Sequence, residues 1–218
     1  MLTKPKVIAS LAVNLFIFVV TAVIVVSYFF EKPSELMRHG SETFRFFTTD
    51  SNILAAICSL AAAVCEGRIL LKKTDALPKA AVLLKFVGTV SVMLTFCTTV
   101  FFLVPVYGPA LLLGKYTIVH VATPLLSLVS FAVLETVYPV RFRFVPLAII
   151  PMAIYGIVYL TEVVVIGEQN GGWRDFYAFN RTGQWYLTGV IMLAAVFVIA
   201  CLTALFHNAF VKRSASAK

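Results

Sequence analysis

Apolar runs long enough to cross a bilayer alternate with short polar connections along the whole chain. Six stand out: Val7–Phe30, Thr48–Cys65, Ala81–Val104, Tyr116–Val137, Phe144–Ile166 and Trp185–Phe210. A spanning helix needs about 20 predominantly apolar residues, and each run is close to that length. Backbone in hydrocarbon must satisfy its own hydrogen bonds, and the period-two alternation of barrel strands is absent, so the runs predict helices. The expected fold is all-α: a polytopic membrane protein with one transmembrane domain, residues 1–218, built as a bundle of six helices.

Composition agrees with that pattern. Hydrophobic residues make up 61% of the chain, against about 45–50% in soluble domains, and the mean hydropathy is +0.95. The net charge of +8 comes from basic residues in short connections and at the termini. That placement is the positive-inside bias of membrane proteins rather than a nucleic-acid surface. Lys4, Lys6, Arg68, Lys72, Lys73, Lys79, Arg141, Arg143, Lys212, Arg213 and Lys218 fall on one side of the membrane. Only Lys32, Arg38, Arg45, Lys115, Arg174 and Arg181 fall on the other. Both termini are therefore expected in the cytoplasm, in a multi-pass protein of the cell membrane. The first run exceeds the length of a signal-peptide core, and Glu31-Lys32-Pro33 follows it without a small-residue cleavage pattern, so it reads as a retained span. Cys58, Cys65, Cys97 and Cys201 sit inside apolar runs, without disulfide or zinc-ligand spacing. No metal or organic cofactor is expected.

Polar residues inside this apolar pattern carry the candidate chemistry. The second run opens Phe46-Phe47-Thr48-Thr49-Asp50-Ser51-Asn52, with Thr48, Ser51 and Asn52 on one helical face. A Thr or Ser cap with Asp50 in the first turn is the ordinary reading of such a start. Asn52, one turn into an apolar helix, wants a partner in the bundle. His120, Thr123 and Ser127 make a stripe on the fourth run, next to Pro124. Tyr155, Tyr159 and Glu162 share a face near the end of the fifth, and an intramembrane carboxylate is costly unless paired. Lys115 and Arg174 are candidate partners for Glu162. Lys85 is expected to snorkel to the headgroups, and Asn14 to bond across helices. The last outer connection, Gly167–Gln184, adds Trp173, Asp175 and Tyr177 as candidate pocket residues. Aromatic side chains of this kind also serve as plain interfacial anchors.

Thr48, Asp50, Asn52, His120 and Glu162 all fall near the outer ends of their runs. A threonine hydroxyl becomes a nucleophile when a base takes its proton, and a neutral imidazole supplies that base near pH 7. A carboxylate, Asp50 or Glu162, would orient the imidazole. Backbone N–H groups or the Asn52 amide would hold the oxyanion.

At these residues the chain resembles a six-span membrane family that includes the androgen-induced and androgen-dependent TFPI-regulating proteins. The resemblance rests on Phe46-Phe47-Thr48 opening the second span and His120-Val121-Ala122-Thr123-Pro124 early in the fourth, and it is closest to the family's prokaryotic branch. It implies a threonine hydrolase acting on fatty acid esters of hydroxy fatty acids, with Thr48 at the nucleophile position and His120 as the catalytic histidine. The chain departs from that branch in the last outer loop. Tyr177-Ala178-Phe179-Asn180 lacks a proline before the tyrosine, and Asn180 stands where an acid is expected.

The resulting expectation is a membrane lipid-ester hydrolase whose partners are fatty-acyl esters and membrane lipids, with no nucleic acid. Two alternatives stay open: a proton-linked transporter or channel using Glu162, His120 and Asp50, and a lipid-binding protein without chemistry.

Overall fold

The computed structural model describes residues 3–30 and 40–216. Lys32, Arg38 and Lys218 of the charge pattern, and the Glu31-Lys32-Pro33 stop, lie outside the described residues. The chain forms six membrane-length helices: α1 (Lys4–Ser27), α2 (Phe47–Leu70), α3 (Lys79–Tyr107), α4 (Lys115–Leu134), α5 (Phe142–Ile166) and α6 (Trp185–Ser216). No strand occurs among the described residues. The chain is a multi-pass helical membrane protein.

Helices α1 to α4 close into a ring, each packed on the next and α4 returning to α1. The buried stripe of α1 explains how: Val7, Ser10, Asn14, Ile17, Thr21 and Ile24 recur at three- and four-residue spacing, and half of them are polar. Small residues on α2, among them Ala55, Cys58, Ser59 and Ala62, let its neighbours approach closely. Gly88 of α3 fits against that surface, where an added Cβ would come within 3.1 Å of Cys58 Cβ and 3.2 Å of Ala55 Cα.

Helices α5 and α6 lie outside the ring against α3, and α6 also reaches the end of α4. The seam is apolar, built on Phe86, Val90, Leu94, Phe131, Met152 and Ala200. Its polar fasteners sit at the helix ends. Asn208 of α6 pairs with both the N–H and the carbonyl of Val140. His207 places its two ring nitrogens 2.9 Å from the Phe131 and Tyr138 carbonyls and stacks on the Phe131 ring.

Two hydrogen bonds put the start of α1 and the end of α6 at one level. Lys6 donates to the Val133 carbonyl at the end of α4, and Thr136 pairs with Ser214. This is the termini face; the opposite one is called distal below.

Three helices, α3, α4 and α5, contain π-type turns and prolines. In α4 the turn Ile118–Ala122 precedes Pro124, and the Thr123 N–H reaches back five residues to Ile118. Pro124 has no N–H for the His120 carbonyl, which removes the α-helical bond expected there and favours the wider turn. α3 has a π-type turn at Thr99–Leu103 and stops at Gly108, whose φ of +86° suits glycine.

Gly88→Val should lower the thermal midpoint of the detergent-solubilised protein by the equivalent of at least about 1–3 kcal/mol, the usual cost of overpacking. An unchanged midpoint would show that α2 and α3 do not approach as described.

Candidate functional site

The start of α2 lacks a conventional cap. Its N-cap position is Phe46, whose side chain has no acceptor, and Thr48 and Thr49 lie inside the helix. The expected Thr cap is thus not used. The Tyr177 phenol oxygen accepts the Phe47 N–H at 3.2 Å instead, so the last distal loop caps the second helix.

That loop is itself tightly held. Asp175 Oδ1 accepts from the Tyr159 hydroxyl and the Phe179 N–H, both at 2.8 Å, and Oδ2 accepts from the Asn180 N–H at 2.8 Å. The Tyr159 oxygen in turn accepts the Tyr177 N–H, and Tyr155 donates to the Arg45 carbonyl. Around Tyr159 the rings of Tyr155, Trp173, Phe176, Tyr177 and Phe179 form one aromatic cluster. Tyr155, Tyr159 and Asp175 are therefore fasteners that set the position of Tyr177. Burial pushes the Tyr177 phenol up from its ordinary 10.0 to about 12, and the Asp50 charge pushes the same way. The Phe47 N–H, which donates to the phenol, and the nearby Thr48 hydroxyl oppose that rise.

Asn52 ties α2 to α4. Its amide nitrogen donates to the Thr48 carbonyl at 2.8 Å and the Val119 carbonyl at 3.0 Å. Both amide hydrogens are spent on carbonyls, so Asn52 cannot donate to an oxyanion, contrary to the role expected from sequence. Asn52 Oδ1 and Thr123 Oγ1 are buried and lack a protein partner among the described residues. Such orphans inside a membrane protein mark a place for water or a ligand donor. The neighbouring Ser51 pairs with Thr95 at 2.7 Å.

His120 lies in the π-type turn one residue beyond Val119 and is buried. Its Nδ1 sits 2.7 Å from the Leu111 carbonyl, in the turn between α3 and α4. A carbonyl only accepts, so Nδ1 carries the hydrogen and Nε2 of the neutral ring keeps its lone pair. The ring stacks on Tyr116.

The predicted residues divide between two sides of α2. Asn52 reaches α4 at Val119, next to His120 in the chain, while the Thr48 hydroxyl lies by the Tyr177 phenol. Asp50 faces the other way, into a cavity of about 250 Å³ between α2 and α5 that Phe44, Leu54, Tyr155 and Trp173 help to line. Asp50 makes no hydrogen bond to His120. Glu162 is half-buried and, among the described residues, pairs with neither Lys115 nor Arg174. Glu162 lies at the start of the π-type turn Thr161–Ile166. The expected carboxylate partner of His120 is therefore corrected: neither Asp50 nor Glu162 takes that position. The Thr48 hydroxyl and the His120 ring are not hydrogen-bonded to each other.

Sequence reasoning missed the Leu111 carbonyl and the capping role of Tyr177, which depend on loops folding back. No protein-family model, curated protein or solved structure matches the chain.

Asp175→Ala leaves two backbone N–H groups and the Tyr159 hydroxyl without their acceptor. Amide exchange at Phe179 and Asn180 should rise about tenfold or more, as losing such a bond costs about 1–3 kcal/mol. In an ultraviolet titration one phenol should ionise only near pH 12 and be missing from Tyr177→Phe. Because this acid's value is raised, the stability it lends is whole below pH 10.0 and lost as pH rises through about 12.

Proposed function

We propose that the chain is an integral membrane lipid-ester hydrolase with Thr48 as nucleophile and His120 as general base and acid. The observation that carries this reading is the hydrogen bond from His120 Nδ1 to the Leu111 carbonyl. It fixes the tautomer in which Nε2 is free to take a proton, at the level where Asn52 holds Thr48 and Val119 together. The resemblance to the threonine-hydrolase family at the same two positions supports it.

In this reading His120 Nε2 takes the Thr48 proton as the hydroxyl attacks the ester carbonyl. The imidazolium then returns the proton to the leaving alkoxide, and water releases the acid from the acyl-threonine. Attack requires the two side chains to close up when substrate binds, as catalytic contacts often do. The Leu111 carbonyl takes over the orienting role expected of a carboxylate. The ester would reach Thr48 and His120 from the leaflet at the distal face. With both termini cytoplasmic, as the basic residues suggest, that leaflet is the outer one.

A second reading is lipid binding without chemistry. It is favoured by the lining of the cavity beside Asp50, which includes neither Thr48 nor His120.

The two are separated by labelling the purified protein with a fluorophosphonate probe and supplying a panel of acyl esters. Hydrolase action requires labelling and turnover that fall at least about 100-fold in Thr48→Ala and in His120→Ala, the scale of a lost general base. Thr48→Ser should retain part of both. Lipid retained through purification, with labelling and turnover indifferent to either alanine, would leave only the binding reading.

A further inference from the structure

The interior of the α1–α4 ring toward the termini face is filled with polar side chains that have no solvent exposure. Ser10 and Asn14 come from α1, Ser59 and Glu66 from α2, Lys85 from α3, and Ser130 and Glu135 from the end of α4. Lys85 does not snorkel; its ammonium donates at 2.6 Å to both Asn14 Oδ1 and Ser59 Oγ. With its oxygen facing that ammonium, Asn14 turns its amide nitrogen toward the two carboxylates. The nitrogen lies 3.0 Å from Glu135 Oε1, and 3.1 and 3.3 Å from the two Glu66 oxygens. Ser130 at 2.6 Å and Ser10 at 3.3 Å also donate to Glu135 Oε1. Glu135 Oε2 is buried and has no partner among the described residues.

Charge and hydrogen counting agree on what is missing. One ammonium stands against two carboxylates, and it touches neither. Two amide hydrogens serve three carboxylate oxygens and Ser10 Oγ. The remaining ionisable groups packed around the cluster bind elsewhere. Lys6 of α1 donates to Val133, and the His207 ring of α6 faces the Phe131 and Tyr138 carbonyls. Cys58 of α2 lies near Lys85, and Arg68 is exposed. A second unpaired carboxylate in this dry interior is expensive, and two carboxylates sharing one site do not both ionise. A single proton shared by Glu135 and Glu66 removes one charge from the pair.

We propose that Glu66 and Glu135 form a binding site for one exchangeable proton, taken up from the termini face. Glu66 lies in the last turns of α2 and Glu135 directly follows α4, so both are near that surface. Release of the proton leaves two like charges between α2 and α4, which loosens the ring there. The site is independent of Thr48 and His120, which sit at the distal end of the same helices.

The test is infrared difference spectroscopy of the full chain in nanodiscs across a pH series, following the deuterium-sensitive band of a protonated carboxyl. The wild type should show this band at neutral pH and lose it with the slope of one proton as pH rises. Glu66→Gln and Glu135→Gln should each lack it, since one carboxylate then balances Lys85. Lys85→Met should enlarge it about twofold, and Thr48→Ala should leave it unchanged. Absence of the band in the folded wild type, or its survival in both glutamine variants, overturns the proposal. So does its loss when potassium is replaced by sodium at constant pH, which would assign the site to sodium. Should a variant fail to fold, the wild-type titration decides alone.

Discussion

Hydrocarbon offers no water to a stranded polar group, and the arrangement of this protein follows from that constraint. Polar residues on the first four helices can be tolerated only if they face one another. Facing one another closes α1 to α4 into a ring. Asn14 is the centre of its termini-face half: its oxygen meets the Lys85 ammonium and its nitrogen meets both carboxylates. Above it Thr89 pairs with Ser127, and Ser51 with Thr95. The apolar helices α5 and α6 have no such requirement and pack outside.

At the distal face the same constraint acts on backbone. The first turn of α2 presents free N–H groups at the membrane boundary, and the Tyr177 oxygen answers one of them. Holding Tyr177 there requires Asp175, which gathers two backbone N–H groups and the Tyr159 hydroxyl. The carboxylate of that loop therefore organises structure and leaves His120 to be oriented by a backbone carbonyl. Asn52 is likewise a strap between helices. Asn52 Oδ1 and Thr123 Oγ1 are left without partners among the described residues.

The number and place of the spans were legible because length and hydropathy alone decide whether a segment suits a bilayer. All six expected runs fall on observed helices, with ends moved by a few residues. One shift matters: α2 continues past Cys65 to Leu70 and so includes Glu66. The polar stripes Ser10–Asn14, Ser59–Glu66, Lys85–Thr89 and Ser127–Ser130 were present in the sequence at helical spacing. Of their members the sequence pattern singled out only Asn14, Lys85 and Ser127, and it gave Lys85 a snorkelling role.

The sequence by itself determined six helical crossings and the placement of hydroxyl, imidazole and carboxylate groups along them, because periodicity and hydropathy are local properties. Only the tertiary structure decided which of these groups meet. Helix rotation and the fold-back of the Asp175 loop left both Asp50 and Glu162 without a bond to His120, with Asp50 on the cavity between α2 and α5. They set Leu111, Tyr177 and Asn52 around the site instead, and packing of α1 to α4 drew Lys85, Glu66 and Glu135 inward. Those outcomes depend on side chains distant in sequence satisfying one another where no solvent competes, and no single segment encodes them.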